Sequence, residues 1–306
     1  MRRKIALVGI GKIARDQHIP SLLASADWEL AAAVSRHGTV EGVPNYTNLQ
    51  DMLAAHPEIG TVSLCIPPVP RFAYARAALA AGRNVMLEKP PGATVAECHA
   101  LERLAREAGV SLYATWHSRE AAMVAPAKTW LAGRTVRRGH ITWREDVRRW
   151  HPGQDWVFAP GGLGVFDPGI NALSILTAIL PRPVHLRAAT LEFPENRQTP
   201  IAARLAFTGG ITADFDWRQE GPQTWDIELE TDVGTLVLRD GGARMVVDGQ
   251  ETGAPDTALA GEYPRLYANM ARLVDAGGID MDLAPFVHVA DAFLLGERRT
   301  VAPFHF

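Results

Sequence analysis

The sequence predicts an α/β protein in which a doubly wound parallel sheet, built by the N-terminal third, precedes an α+β domain with an open, largely antiparallel sheet. Three observations carry that prediction. Apolar runs of strand length alternate with helix-period segments as far as about residue 118, the written form of repeated βαβ units. A glycine pattern, Gly9-x-Gly11-x-x-Ala14, stands where the first such strand meets the first such helix. Beyond residue 118 the pattern changes to one helix and then strands separated by turn signals, among them Asp240-Gly241-Gly242 and Asp248-Gly249. The expected division is therefore 1–118 and 119–306, and 306 residues exceed the usual size of one core.

In order, residues 5–8 read as the first strand and 13–24 as a helix. Strands at 30–34, 62–66 and 85–87 follow, with helices at 72–81 and 95–108, the latter closed by Gly109. Residues 111–115 supply one more strand, where the parallel sheet is expected to end. A helix at 123–131 opens the second part, and strands at 141–143, 185–191, 202–207, 211–217, 226–229 and 235–238 build its sheet. Helices at 263–275 and 284–295 close the chain.

Composition narrows the partners. With 47% hydrophobic and 21% charged residues the chain has apolar material for large cores and no excess charge that favours disorder. A net charge of −3 offers no field for collecting nucleic acid or an anionic membrane surface, so small molecules are the expected partners. The two cysteines, Cys65 and Cys98, lie in apolar patterns and point to a reducing compartment. The run from Ile5 to Gly11 is too short and glycine-rich for a signal core or a membrane span, which makes the cytoplasm the expected location. No spaced Cys/His cluster suggests a metal.

The glycine pattern has mechanical meaning where it stands. Gly9 permits a tight turn, Gly11 lets a pyrophosphate approach the backbone, and small Ala14 lets the helix pack on the sheet, while free N–H groups at the helix start bind phosphate. This is the Rossmann fingerprint, with Gly9, Ile10, Gly11, Lys12 and Ile13 forming the expected phosphate turn. At the end of the second strand, Ser35-Arg36-His37 holds no acidic residue to take the ribose 2′-hydroxyl. Ser35 can donate to a 2′-phosphate and Arg36 can pair with it, so NADP is the expected cofactor with NAD left open. A solvated loop arginine is the alternative reading of Arg36. Lys89 sits where a strand ends before Pro90-Pro91, at the edge where ligands bind in this architecture, and could hold a reacting hydroxyl. Asp167 directly precedes Pro168, which also fits a helix N-cap, and Asn171 would share its side of that helix.

Glu88-Lys89-Pro90 and the run from Gly161 to Asn171, Gly-Gly-Leu-Gly-Val-Phe-Asp-Pro-Gly-Ile-Asn, resemble the two catalytic motifs of the glucose–fructose oxidoreductase, inositol dehydrogenase and rhizopine catabolism (Gfo/Idh/MocA) family. The resemblance spans essentially the whole chain. Within that family, Trp116-His117-Ser118-Arg119, residues 145–156 and the Asp-Pro-Gly-Ile-Asn run are similar to those of aldose 1-dehydrogenases. The resemblance implies oxidation of a cyclic sugar, L-arabinose or D-galactose, at C1 to the lactone, in a cleft between the two domains. It extends the nucleotide site to Cys65, Ile66, Pro67, Glu88, Lys89 and His117. It also implies Glu145, Trp150 and His151 as pocket residues, with a homo-oligomer formed through the C-terminal sheet. Strand alternation sets Glu145 on one face with Trp143 and Val147, and leaves Arg144, Asp146, Arg148 and Arg149 to solvent. Trp150 offers an aromatic surface to a pyranose, while His117, Glu145 and His151 can read hydroxyls; ordinary structure is the alternative reading of each. Many relatives carry histidine where Asn171 stands, which shifts the proton acceptor to Asp167 and leaves Asn171 to hold the sugar. An anomeric hydroxyl is more acidic than an ordinary alcohol, so a carboxylate suffices. A rival of another class is a nucleotide-binding sensor without turnover, whose mark would be loss of Lys89 or Asp167; both are present.

Overall fold

The computed structural model describes residues 2–252 and 261–306. Its first stretch follows the expected alternation. Strand β1 (Arg3–Val8) leads through the glycine turn into a π-helical turn (Ala14–His18) that continues as α1 (Ile19–Leu23). Then come β2 (Trp28–Val34), β3 (Asn45–Tyr46), α2 (Leu49–Ala55), β4 (Thr61–Leu64), α3 (Pro68–Ala80), β5 (Asn84–Leu87), α4 (Val95–Ala108) and β6 (Leu112–Ala114). Helix α4 starts because the Thr94 side chain accepts from the Glu97 N–H, and stops at Gly109, whose φ of 64° is left-handed.

The middle stretch holds α5 (Val124–Leu131), β7 (Val136–Arg144), α6 (Val147–Trp150), α7 (Phe166–Ile179), β8 (Leu186–Pro194), β9 (Ala202–Phe207), β10 (Ile211–Asp216), β11 (Thr224–Thr231), β12 (Thr235–Arg239), β13 (Arg244–Val247) and β14 (Gln250–Thr252). The chain closes with α8 (Glu262–Ala276), β15 (Ile279–Asp280), α9 (Ala284–Leu295) and β16 (Glu297–Val301).

These elements form two compact units, Met1–His117 with Tyr263–Leu283, and Ser118–Glu262 with Ala284–Phe306. The first unit thus takes back a late segment, which a linear division at residue 118 does not contain. Its seven strands run β15-β6-β5-β4-β1-β2-β3, all parallel. Alternate side chains of β1 serve opposite cores: Ala6 and Val8 join residues of α2, α3 and α4, whereas Ile5 and Leu7 join Leu22 of α1 and residues of α8. Helix α8 presents Tyr263, Leu266, Tyr267 and Met270, all buried, at the spacing of one helical face.

The second unit carries a nine-stranded sheet in the order β14-β13-β12-β11-β7-β10-β9-β8-β16. Its pairings are antiparallel except β10 with β7 and β16 with β8. The sheet is mixed and largely antiparallel, as expected. Helix α7 is nearly all buried, and Phe166 meets Phe215 of β10 edge to face at 6.0 Å between ring centroids. Strand β16, a charged and exposed edge (Glu-Arg-Arg-Thr-Val), gave no apolar alternation to read.

Candidate active site

In the first unit the expected cofactor residues lie at the carboxyl ends of β1, β2, β4, β5 and β6. Gly9 has φ +92°, and a Cβ there would lie 2.7 Å from Ile66 Cγ2, so turn and packing both demand glycine. Gly11 is the opposite case, because a Cβ on it would meet nothing within 4 Å. Protein packing does not explain Gly11, and the open space over its backbone is what a pyrophosphate would need for close approach, so the turn fits a dinucleotide. Ile10 is buried in the core, Ile13 is exposed, and Lys12 pairs with Asp16.

At the end of β2 the Ser35 hydroxyl accepts the Gly38 N–H at 3.2 Å, closing a turn that leaves Arg36 and His37 in solvent. The Arg36 guanidinium has no hydrogen bond or ion pair among the described residues, which suits it to an arriving phosphate. Arg15, which sequence reasoning passed over, reaches the same turn through a 3.5 Å bond to the Thr39 carbonyl.

The later strand ends are knitted from behind. Buried Arg71 donates to the carbonyls of Ile66, Glu88 and Pro90, fixing the Cys65-Ile66-Pro67 and Glu88-Lys89-Pro90 segments together. Glu88 does not point outward: Oε1 accepts from Tyr263 Oη at 2.8 Å and lies 3.0 Å from His18 Nε2, and Oε2 accepts the Lys89 N–H at 2.8 Å. His18 Nδ1 lies 2.7 Å from Tyr267 Oη, and His117 stacks on Tyr263 at 5.5 Å. Burial pushes Glu88 toward the neutral acid, but the His18 hydrogen bond and the charges of His18 and His117 hold its carboxyl at about 2. Burial likewise opposes charge on His18, yet Cys65, Tyr267 and Glu88 raise it well above the usual imidazole range. A buried ion pair therefore stands directly behind the Lys89 backbone. His18 left a trace in the sequence, a polar residue in the Ala14, His18, Leu22 series of one helical face.

The second unit brings together Glu145, Trp150, His151, Asp167 and Asn171. Burial alternates along Trp143, Glu145 and Val147 as expected, with Arg148 and Arg149 exposed. The Glu145 carboxylate takes Trp217 Nε1–H at 3.1 Å and Trp225 Nε1–H at 2.9 Å, bracing an aromatic wall. Trp225 lies between Trp143, stacked at 5.7 Å, and Trp150 at 5.5 Å. The buried indole N–H of Trp150 has no hydrogen-bond partner among the described residues.

Asp167 is not a helix cap. Helix α7 begins at Phe166 with Val165 at the cap position, which makes Asp167 its second residue rather than the residue before it. The cause is upstream, where Gly164, with φ +56°, turns the chain so tightly that a Cβ would sit 2.2 Å from the Pro200 carbonyl. The carboxylate of Asp167, a residue 4% exposed, instead meets His151 Nε2 at 3.0 Å. One turn on, the Asn171 amide is partly exposed and has no hydrogen-bond partner among the described residues. Gln154 and Trp217 touch His151 but had no role assigned to them: Gln154 lies within the 145–156 run, and Trp217 only ends the strand read at 211–217. Among the described residues no group of His, Cys, Asp or Glu could hold a metal ion, and no helix is long and apolar enough to cross a membrane.

A parallel sheet headed by such a turn defines a dinucleotide-binding protein of the Rossmann class, and residues 3–115 match the family described as "Oxidoreductase family, NAD-binding Rossmann fold". The chain is 39% identical to galactose 1-dehydrogenase of Pseudomonas fluorescens, covering 99% of this chain and 98% of that one. It is 54% identical to the crystal structure of the D-galactose-1-dehydrogenase protein from Rhizobium etli, with a TM-score of 0.94 over 99% of this chain and 98% of the other. The chain belongs to the Gfo/Idh/MocA family of oxidoreductases. The fold alone is shared with KijD10, a 3-ketoreductase from Actinomadura kijaniata solved with NADP and TDP-benzene, at 17% identity and a TM-score of 0.84, covering 98% of this chain and 100% of that one.

Proposed function

We propose that the protein is an aldose 1-dehydrogenase that oxidises the anomeric carbon of D-galactose, and of L-arabinose beside it, to the lactone, with NADP as the preferred cofactor. The observation that carries this reading is the buried Asp167 carboxylate, joined to His151 and followed one helical turn later by the Asn171 amide, which has no hydrogen-bond partner among the described residues. D-galactose takes first place because the two galactose dehydrogenases are similar over the full chain. L-arabinose carries the same ring hydroxyl configuration and lacks only the exocyclic CH2OH. The nicotinamide, when bound, supplies the hydride acceptor.

The chain's own residues do the rest. Asp167 accepts the anomeric O–H proton, Asn171 holds the sugar, and Lys89 lends positive charge to the oxygen as it loses its proton. Trp150 offers ring surface and an indole N–H, His117 and Glu145 are the further polar groups for sugar hydroxyls, and His151, with one ring nitrogen toward Gln154 and the other toward Asp167, lines the pocket and acts through the carboxylate. Arg36 and Ser35 take the 2′-phosphate, with Arg15 beside them. Initial rates with a panel of aldoses and both nicotinamide cofactors test the reading. Highest kcat/KM with D-galactose and NADP supports it, and absence of turnover with every aldose overturns it.

A further inference from the structure

Gln154 stands between Trp156 and His151. An indole N–H can only donate, so the Gln154 atom 3.1 Å from Trp156 Nε1 is the amide oxygen. That same oxygen lies 3.2 Å from His151 Nδ1, which must then carry a hydrogen to make the contact favourable. Nε2 is left to face Asp167 Oδ2 at 3.0 Å. In the neutral ring with Nδ1 protonated, Nε2 is an acceptor, and two acceptors at that distance repel unless a proton lies between them.

We propose that His151 and Asp167 form one base unit sharing a single proton, and that Gln154, held by Trp156, is the positioning residue that fixes its tautomer. This rests on Asp167 being the proton acceptor. In the reacting state His151 is imidazolium and Asp167 carboxylate. The C1–H bond breaks and hydride passes to the oxidised nicotinamide cofactor while C1–O becomes C=O. The hydroxyl proton goes to Asp167, and one proton then leaves the unit for water, restoring the starting state. Side chains facing His151 within this unit include Asp167 from α7, Gln154 and Trp156 from its own loop, and the Trp217 ring beyond β10, whose indole N–H is held by Glu145. Asp167 and Glu145 are the charged groups among them. Without the Gln154 oxygen the neutral ring is free to carry its hydrogen on Nε2 and satisfy Asp167 with no extra proton.

The test uses the full-length protein with Gln154→Leu and Gln154→Glu. In the wild type, 15N NMR of the His151 ring shows Nδ1 protonated, and kcat/KM for D-galactose is bell-shaped in pH. In Gln154→Leu the neutral ring moves its hydrogen to Nε2, the basic limb shifts to lower pH by on the order of one unit, and kcat falls about tenfold with sugar KM little changed. Gln154→Glu keeps the acceptor, retains the Nδ1–H signature and moves the basic limb to higher pH. A neutral Nε2–H ring in the wild type, or an unmoved pH profile in both variants, overturns the proposal. Loss of turnover in Asp167→Asn together with unmoved Gln154 profiles would sink only this inference, whereas full turnover in Asp167→Asn would sink the reading beneath it.

Discussion

Asparagine in place of Asp167 keeps the size of the side chain inside α7, so the variant folds, with a loss of stability where the carboxylate met His151. It cannot take a proton as a carboxylate does, so kcat falls about a hundredfold or more while thermal unfolding still shows stabilisation by NADP. Single-turnover formation of reduced cofactor with D-galactose reads the chemistry directly. Near-normal turnover would remove Asp167 as the base. Arg36→Ala should lower kcat/KM for NADP by about tenfold or more and that for NAD far less, because only the 2′-phosphate offers the guanidinium a charge-assisted bond. Equal losses for both cofactors would show that Arg36 does not read the phosphate. At this scale the sequence marks residues whose type is unusual for their place, Lys89 before Pro90 and Asp167 before Pro168. It was silent about Gln154, whose role depends on two aromatic or imidazole neighbours brought to it by loop folding.

Elements explain why some motif residues tolerate change and others do not. Gly9→Ala forces a Cβ against Ile66 in a left-handed turn and should cost about 1–3 kcal/mol in urea unfolding. Gly11→Ala meets no protein atom, so stability should change by less than about 0.5 kcal/mol while dinucleotide titration shows weakened binding. Intact binding in Gly11→Ala would refute the pyrophosphate assignment. The strands and helices of both sheets were largely legible from periodicity, whereas the π-helical turn was not, because nothing in Ala14–His18 marks the extra residue. That turn delivers His18 to Glu88 of the β5 end and to Tyr267 of α8. Glu88 ionises from about 2 in the fold against an ordinary 4.5, so its contribution is complete above 4.5 and is lost as pH falls toward 2. His18 is raised above its ordinary 6.5, so its contribution is complete below 6.5 and is lost as pH rises through the raised value. Stability from the pair should therefore peak between those ordinary values. Glu88→Gln leaves the imidazolium without its counter-charge, costs about 3–5 kcal/mol and flattens the acid side of the stability profile, as denaturation across pH would report.

On the scale of the whole molecule, the chain visits the first unit, builds most of the second, returns to finish the first and ends in the second. Sequence periodicity identified the late helix at 263–275 but held no sign of which core its stripe would join, since membership in a core is a property of contacts far apart in the chain. Residues 1–117 alone would leave Leu7, Trp28 and Met86 without the face of α8 that covers them. A fragment of that length should therefore lack a cooperative thermal transition by circular dichroism, and a short flexible linker joining it to residues 262–283 should restore one. A sharp transition in the short fragment would show that α8 is dispensable. The same returning segment imposes an order on biosynthesis. When the sixth strand leaves the ribosome, one side of its sheet is still an apolar surface, and residues 118–262 must be translated before its cover exists, on the order of ten seconds at ordinary elongation rates. For that interval the nascent nucleotide unit should need chaperones to shield it, and slowing translation within residues 118–262 should lower the soluble yield more than slowing it after Leu283.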